Sequence, residues 1–192
     1  YVHHPLFAKL KTIIKSNSIG KILRVKSSFK IPLSDKKNFR FHKNLGGGAL
    51  YDVGFYPISI MFTLFNSKKI KLLRSKIIRQ NRLDLMGNIN AQNENNVIFD
   101  LDWGFKSSYK NSLIVYGTEG SLLVDFIFSK DVIQDGKIII YRKKKLKVIK
   151  VSKSNQINLA FKDMLSNKSK LFNERYQTSL SILNIIERLK KK

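Results

Sequence analysis

The sequence predicts an α+β domain: an open, mostly antiparallel β-sheet with helices packed on one face. Three observations predict it. From residue 70 onward apolar residues recur with a period of two, the mark of half-buried strands. The joins between those runs are short and rich in turn residues, at 93–96, 117–120 and 135–136. Short joins make antiparallel neighbours, because a parallel pair needs a long crossover. Helical spacing falls only before residue 66 and after residue 155.

Taken in order, residues 5–16 place Leu6, Leu10, Ile13 and Ile14 at helical intervals, and the helix closes at Asn17-Ser18 before Gly20. Residues 22–31 read as a strand with Leu23, Val25, Ser27 and Phe29 on one face. The polar stretch 32–45 reads as a loop ending in Gly46-Gly47-Gly48. Residues 49–65 form an apolar helix interrupted at Pro57, whose ring would clash with the carbonyl of Val53, so a kink or restart is expected near Tyr56. Strands are expected over 70–80, 83–90, 97–105, 112–116, 121–128, 137–141 and 146–151. Two helices follow, 156–166 and 174–190, the second with a stripe of Leu180, Leu183, Ile186 and Leu189. No repeat or linker divides the 192 residues, so one domain over 1–192 is expected.

The chain carries 37 Lys and Arg against 13 Asp and Glu, a formal charge of +24. Twenty-nine of the basic residues are Lys, spread over nearly every segment and accompanied by 16 Asn. Nucleic-acid recognition leans on the rigid fork of Arg, so this excess reads first as a solvated surface. Two stretches concentrate it, the 142–153 hairpin and the terminal residues 190–192, and the hairpin carries the alternative reading: a non-enzymatic basic module that binds nucleic acid. No zinc-finger spacing or aromatic RNA-binding motif accompanies it, so nucleic acid is not the expected partner. A chain without cysteine has no disulfides, thiolate metal site or cysteine nucleophile, and no metal is expected. No stretch approaches the length of a membrane span, and the start lacks a signal-peptide layout; a cytoplasmic protein is expected.

The densest signal is Gly46-Gly47-Gly48-Ala49-Leu50-Tyr51-Asp52-Val53-Gly54-Phe55-Tyr56-Pro57. Three glycines before a helix allow close backbone approach and are expected to leave N–H groups free and pointing outward. Asp52 and Tyr56, four residues apart, share a helical face, and a phenol beside a carboxylate makes a proton-transfer pair. The residues alone leave two plain readings open: Asp52 as a partner of the helix dipole and Tyr56 as core.

This segment resembles the signature of the Gfo/Idh/MocA oxidoreductases, GGG-x-L-x-D-x-G followed by any residue and then His or Tyr. Further stretches are similar in the same order: Tyr1-Val2-His3-His4-Pro5, then Ser18-Ile19-Gly20-Lys21-Ile22, then the late hairpin Gly117-Thr118-Glu119-Gly120. The resemblance implies a hydride-transfer enzyme using NAD or NADP, with a sheet face used for homo-oligomer formation, such as a dimer. It implies that Tyr56 exchanges a proton with the substrate oxygen, that Asp52 orients the substrate or tunes Tyr56, and that Gly46, Gly47 and Gly48 border the cofactor and substrate. His4, Tyr1 and Arg40 lie in segments that border the same cleft. His3 and His4 read equally well as satisfied or solvated imidazoles, and Arg40 as a loop cation.

Trp103-Gly104-Phe105, Tyr109-Lys110-Asn111 and Tyr56 in place of His resemble the NDP-hexose 3-ketoreductase branch, which implies a sugar or sugar-nucleotide substrate. There a Lys from an E-K-P motif lowers the phenol's pKa. That Lys, and the G-x-G-x-x-G that would cradle the cofactor pyrophosphate, are absent from these 192 residues. The start at Tyr1 leads us to expect the C-terminal part of a longer enzyme. The N-terminal Rossmann domain that would mainly bind NAD or NADP is not in this chain, which is predicted inactive alone. A degenerate fragment kept as a self-associating sheet is a third reading.

Overall fold

The computed structural model describes residues 1–33, 35, 37–166 and 169–191, with the side chains of 169–172 left undescribed. Eight strands form one sheet in the order β2-β3-β4-β1-β5-β6-β7-β8. In chain order the elements are α1 (Pro5–Lys15), β1 (Ile22–Lys30), 3-10 turns at Phe39–Phe41 and Lys43–Leu45, and a π-helical turn at Leu50–Gly54. There follow α2 (Phe55–Thr63), β2 (Ile70–Gln80), β3 (Leu83–Asn93), β4 (Ile98–Gly104), β5 (Lys110–Gly117) and β6 (Gly120–Asp125). The chain continues with β7 (Gly136–Arg142), β8 (Lys145–Val151), α3 (Gln156–Leu165) and α4 (Ser169–Lys190). Among the described residues no helix is long and apolar enough to cross a membrane.

The sheet is antiparallel at every pairing but one. β1 and β4 lie parallel, with Val25 beside Phe99 and Phe29 beside Trp103. Short joins made antiparallel neighbours of β2 through β4, of β5 and β6, and of β7 and β8, as expected, while β6 and β7 pair antiparallel across the longer connection 126–135. β1, which is separated from both groups in sequence, fills the gap between them and can be antiparallel to only one, β5.

The helix-side core holds Val25, Phe29, Phe99, Leu101, Leu113, Val115, Leu122 and Val124 from alternating strand positions. Trp103 is its largest side chain, with Gly54 above it and Gly87 beside it; a Cβ on Gly87 would come within 2.5 Å of its ring. Two expected stripes are corrected. Leu23 is 47% exposed, because the β1–β5 pairing shifts register between Ile22 and Arg24 and releases it from the buried face. In α4, Leu180 and Leu183 are exposed while Ile182, Ile185, Ile186 and Leu189 are buried. The helix packs on α2, and its buried face lies about a quarter of a revolution from the stripe the spacing suggested. The strand expected over 121–128 stops at Asp125, where Phe126 takes a left-handed backbone.

Candidate functional site

The site is built where the 39–48 loop meets α2. Pro57 has no N–H to donate, and its ring keeps the preceding turn from closing as an α-helix. The expected disruption takes the form of the wide π-helical turn Leu50–Gly54, after which α2 starts afresh at Phe55. Single π turns of this kind are frequent at functional positions. Asp52 lies inside the turn and Tyr56 just beyond it.

The glycines shape the loop in a way the sequence did not foretell. The Gly46, Gly47 and Gly48 N–H groups donate to the carbonyls of Lys43 (3.1 Å), His42 (3.0 Å) and Arg40 (3.0 Å), so none is free for an anion. The expectation of outward-pointing amides is corrected: the loop has folded back on its own carbonyls. A Cβ on Gly47 would stand 2.5 Å from the Arg40 carbonyl oxygen, and one on Gly48 (φ +122°) would overlap the carboxylate of Asp84. That carboxylate accepts the Leu50 N–H at 2.5 Å.

The folded loop presents Arg40 to the turn. Its Nε donates to Asp52 Oδ2 at 2.6 Å, with both side chains about 30% exposed. Tyr56 is half-buried in an aromatic cluster, its ring centroid 5.1 Å from Phe29, 5.6 Å from Phe128, 6.0 Å from Phe55 and 6.1 Å from Tyr1. Its hydroxyl has no hydrogen-bond partner among the described residues. Burial raises its pKa, the Asp52 carboxylate raises it further, and Arg40 opposes them. The chain's own surroundings therefore hold the phenol protonated at neutral pH.

Tyr1 differs from its neighbour. Its hydroxyl is hydrogen-bonded to Ser59 Oγ (2.6 Å) and Thr63 Oγ1 (2.9 Å) on α2, and burial pushes its pKa up to about 12. Its ring walls the cluster, against Phe7 and Phe128. His4 caps α1: its Nδ1 accepts the Leu6 N–H at 3.0 Å, which leaves the neutral ring's proton on a buried Nε2 with no partner. Burial, then the nearby Lys130 ammonium, lower its pKa to about 4. The structure thus ties Arg40 to both the glycine loop and Asp52 and sets Tyr1 beside Tyr56, while His4 Nδ1 is spent on capping α1. Sequence reading missed Phe29 of β1, Phe128 just beyond the end of β6, and Asp84, an isolated acid between Leu83 and Leu85.

Among the described residues no group of three or more His, Cys, Asp or Glu side chains could hold a metal ion. The 142–153 stretch runs from the last residue of β7 through the turn at Lys143 and Lys144 into β8, the edge strand, with Arg142 paired to Glu119.

Comparison with known proteins completes the picture. The sequence model of the GFO/IDH/MocA C-terminal domain matches residues 7–123. A dTDP-3,4-didehydro-2,6-dideoxy-alpha-D-glucose 3-reductase of Saccharopolyspora spinosa is 26% identical over 161 residues, covering 83% of this chain and 48% of that protein. KijD10, a 3-ketoreductase from Actinomadura kijaniata solved in complex with NADP and TDP-benzene, superposes with a TM-score of 0.92 at 20% identity. That superposition covers 99% of this chain and 59% of the other. An aldose-aldose oxidoreductase from Caulobacter crescentus, solved with glycerol, gives 0.76 at 16% identity over 96% and 58% of the two chains. These likenesses show a shared fold. The chain spans about half the length of the curated relatives it matches.

Proposed function

Because the chain belongs to the GFO/IDH/MocA C-terminal domain family, we propose that it is the substrate-side half of an NAD(P)-dependent oxidoreductase acting on a sugar or sugar nucleotide. The observation that carries the reading is Tyr56: a protonated phenol with an unengaged hydroxyl, set beside the Arg40–Asp52 pair. The site fits the substrate side of a nicotinamide-dependent reduction, since Tyr56 offers the proton that the substrate oxygen takes up when its carbon receives a hydride. It does not offer the glycine cradle a pyrophosphate needs, since the Gly46, Gly47 and Gly48 amides are taken by the loop's own carbonyls. When bound by the nucleotide-binding half, NAD(P)H supplies the hydride.

This chain's residues do the remainder. Tyr56 donates its proton to the substrate oxygen as a ketone becomes an alcohol. Arg40 and Asp52 hold each other in place and set the field around the phenol. The aromatic rings of Phe29, Phe128 and Tyr1 exclude water from its flank. The raised pKa keeps the phenol in its protonated form, the form that can give a proton to a ketone oxygen, but weakens it as an acid; a cation brought by the other half would bring its pKa back toward the working pH. The relatives' dTDP-sugar substrates support a sugar nucleotide over a free polyol. The cytoplasm, where reduced nicotinamide is supplied, is the compartment this reading suits.

In the enzyme carrying both halves, Tyr56→Phe is expected to lower kcat by about 10²-fold or more, the scale of general acid–base groups. Steady-state kinetics with an NDP-ketosugar and NADPH checks this, and an unchanged kcat would remove Tyr56 from the chemistry. Homo-oligomer formation through the open sheet face is supported by Tyr116, Tyr141, Leu146 and Val148, exposed on the face away from the helices. Sedimentation of Tyr141→Glu beside the parent tests it.

A further inference from the structure

We propose that Asp84 is a positioning residue for the proton-transfer site, pinning the turn that carries Asp52 and Tyr56 to the sheet. Nothing in the signature segment points to it, because it arrives from a different strand. β2 and β3 are joined by Asn81 and Arg82, both with left-handed backbone (φ 50° and 64°), the geometry of a tight hairpin. That hairpin delivers Asp84, the second residue of β3, to the mouth of the π-helical turn.

There its two carboxylate oxygens do different things. Oδ2 accepts the Leu50 N–H at 2.5 Å, at the first residue of the turn, where an amide has no carbonyl one turn back to bond. Oδ1 occupies the space that a Cβ of residue 48 would need, so the chain can pass beneath it only as glycine. From this contact a closed circuit runs through the site. Gly48 N–H donates to the Arg40 carbonyl at 3.0 Å, Arg40 Nε donates to Asp52 Oδ2 at 2.6 Å, and the turn leads from Asp52 back to Leu50 and Asp84. The loop, the turn and the Arg40–Asp52 pair are therefore one unit, and Asp84 fastens it to β3. Leu83 and Leu85, both buried, anchor the start of β3 on either side of Asp84.

The functional importance of this circuit rests on the reading of Tyr56 as the proton-transfer group. The coupling of Asp84 to Tyr56 is measurable without turnover. The experiment is a titration of the 192-residue chain, with tyrosines carbon-13-labelled on the ring, in the parent, Asp84→Ala, Asp84→Asn and Asp84→Ser, with circular dichroism on each. Asn keeps an oxygen that accepts from Leu50; Ala and Ser do not reach. In Ala or Ser the Tyr56 titration is expected to move downward, because a loosened turn admits water and separates the phenol from Asp52. In Asn it should stay with the parent.

An unmoved Tyr56 in a folded Ala or Ser variant overturns the proposal, since a purely structural role would lower the melting temperature and leave that titration alone. An Asn variant that shifts as Ala does overturns the acceptor role. Loss of folding in both Ala and Ser overturns it too, by making Asp84 a general stability residue. Should Tyr56→Phe leave kcat unchanged, the functional reading fails while this coupling is judged separately.

Discussion

The segment 39–56 and helix α3 are both short pieces set between regular elements, and they use their side chains in opposite ways. In the first, the glycine amides bond back to the loop, Arg40 holds Asp52, and Asp84 holds the Leu50 amide. In α3 no residue is buried, and Ile157, Phe161, Met164 and Leu165 are 60–83% exposed on one stripe. Its side chains are tethered through Asp163, which meets His3 and Arg175, and through Gln156, which donates to the Phe128 carbonyl. A segment whose glycine amides and ion pair are matched in this way is held in one arrangement, with the Tyr56 hydroxyl left open. An amphipathic helix with its apolar stripe in water contributes little to the stability of the domain around it.

The contrast can be broken by substitution. Gly48→Ala should be the most damaging of these changes, because it combines a left-handed backbone with overlap on Asp84; a loss of about 2–4 kcal/mol is expected in urea unfolding. A loss below about 0.5 kcal/mol would mean that the loop is not held as described.

A pH series sharpens the comparison at the join between the two regions, the 1–5 segment that lies against both. His4 is neutral when folded, with a pKa lowered to about 4 from 6.5, so the unfolded chain binds its proton first as pH falls. The stability it contributes is present above about pH 6.5 and declines as pH drops toward 4. His4→Asn keeps an N-cap acceptor and removes the titration, so its melting temperature should fall less steeply across that window than the parent's. Parallel profiles would show that His4 is not the responsible group.

The smallest effect is expected in α3. Met164→Lys, at a position 74% exposed, should change stability by no more than about 0.5 kcal/mol. A larger loss in this chain would mean that the stripe is covered when the protein is in solution.

Much of the site was legible because its signal is local. Asp52 and Tyr56 share a face by spacing, the glycines announce a special backbone, and Pro57 announces a broken helix. What could not be read was the use made of these parts. The glycine amides point inward because carbonyls at 40, 42 and 43 reach them first, a matter of loop geometry. Tyr1 and Tyr56 look alike on paper, yet one hydroxyl is tied to Ser59 and Thr63 and the other is open. Only the packing of α2 against residue 1 separates them.

The same division runs through the fold. Period-two runs, short joins and turn residues determined seven antiparallel-competent strands after residue 70 and helices at both ends, because each depends on neighbours within a few residues. The parallel seating of β1 beside β4, the rotation of α4 onto Ile182, Ile185, Ile186 and Leu189, and the arrival of Asp84 under Gly48 were decided by the tertiary structure. Each joins residues tens of positions apart, where pattern carries no distance information and the packing of whole elements chooses the partner.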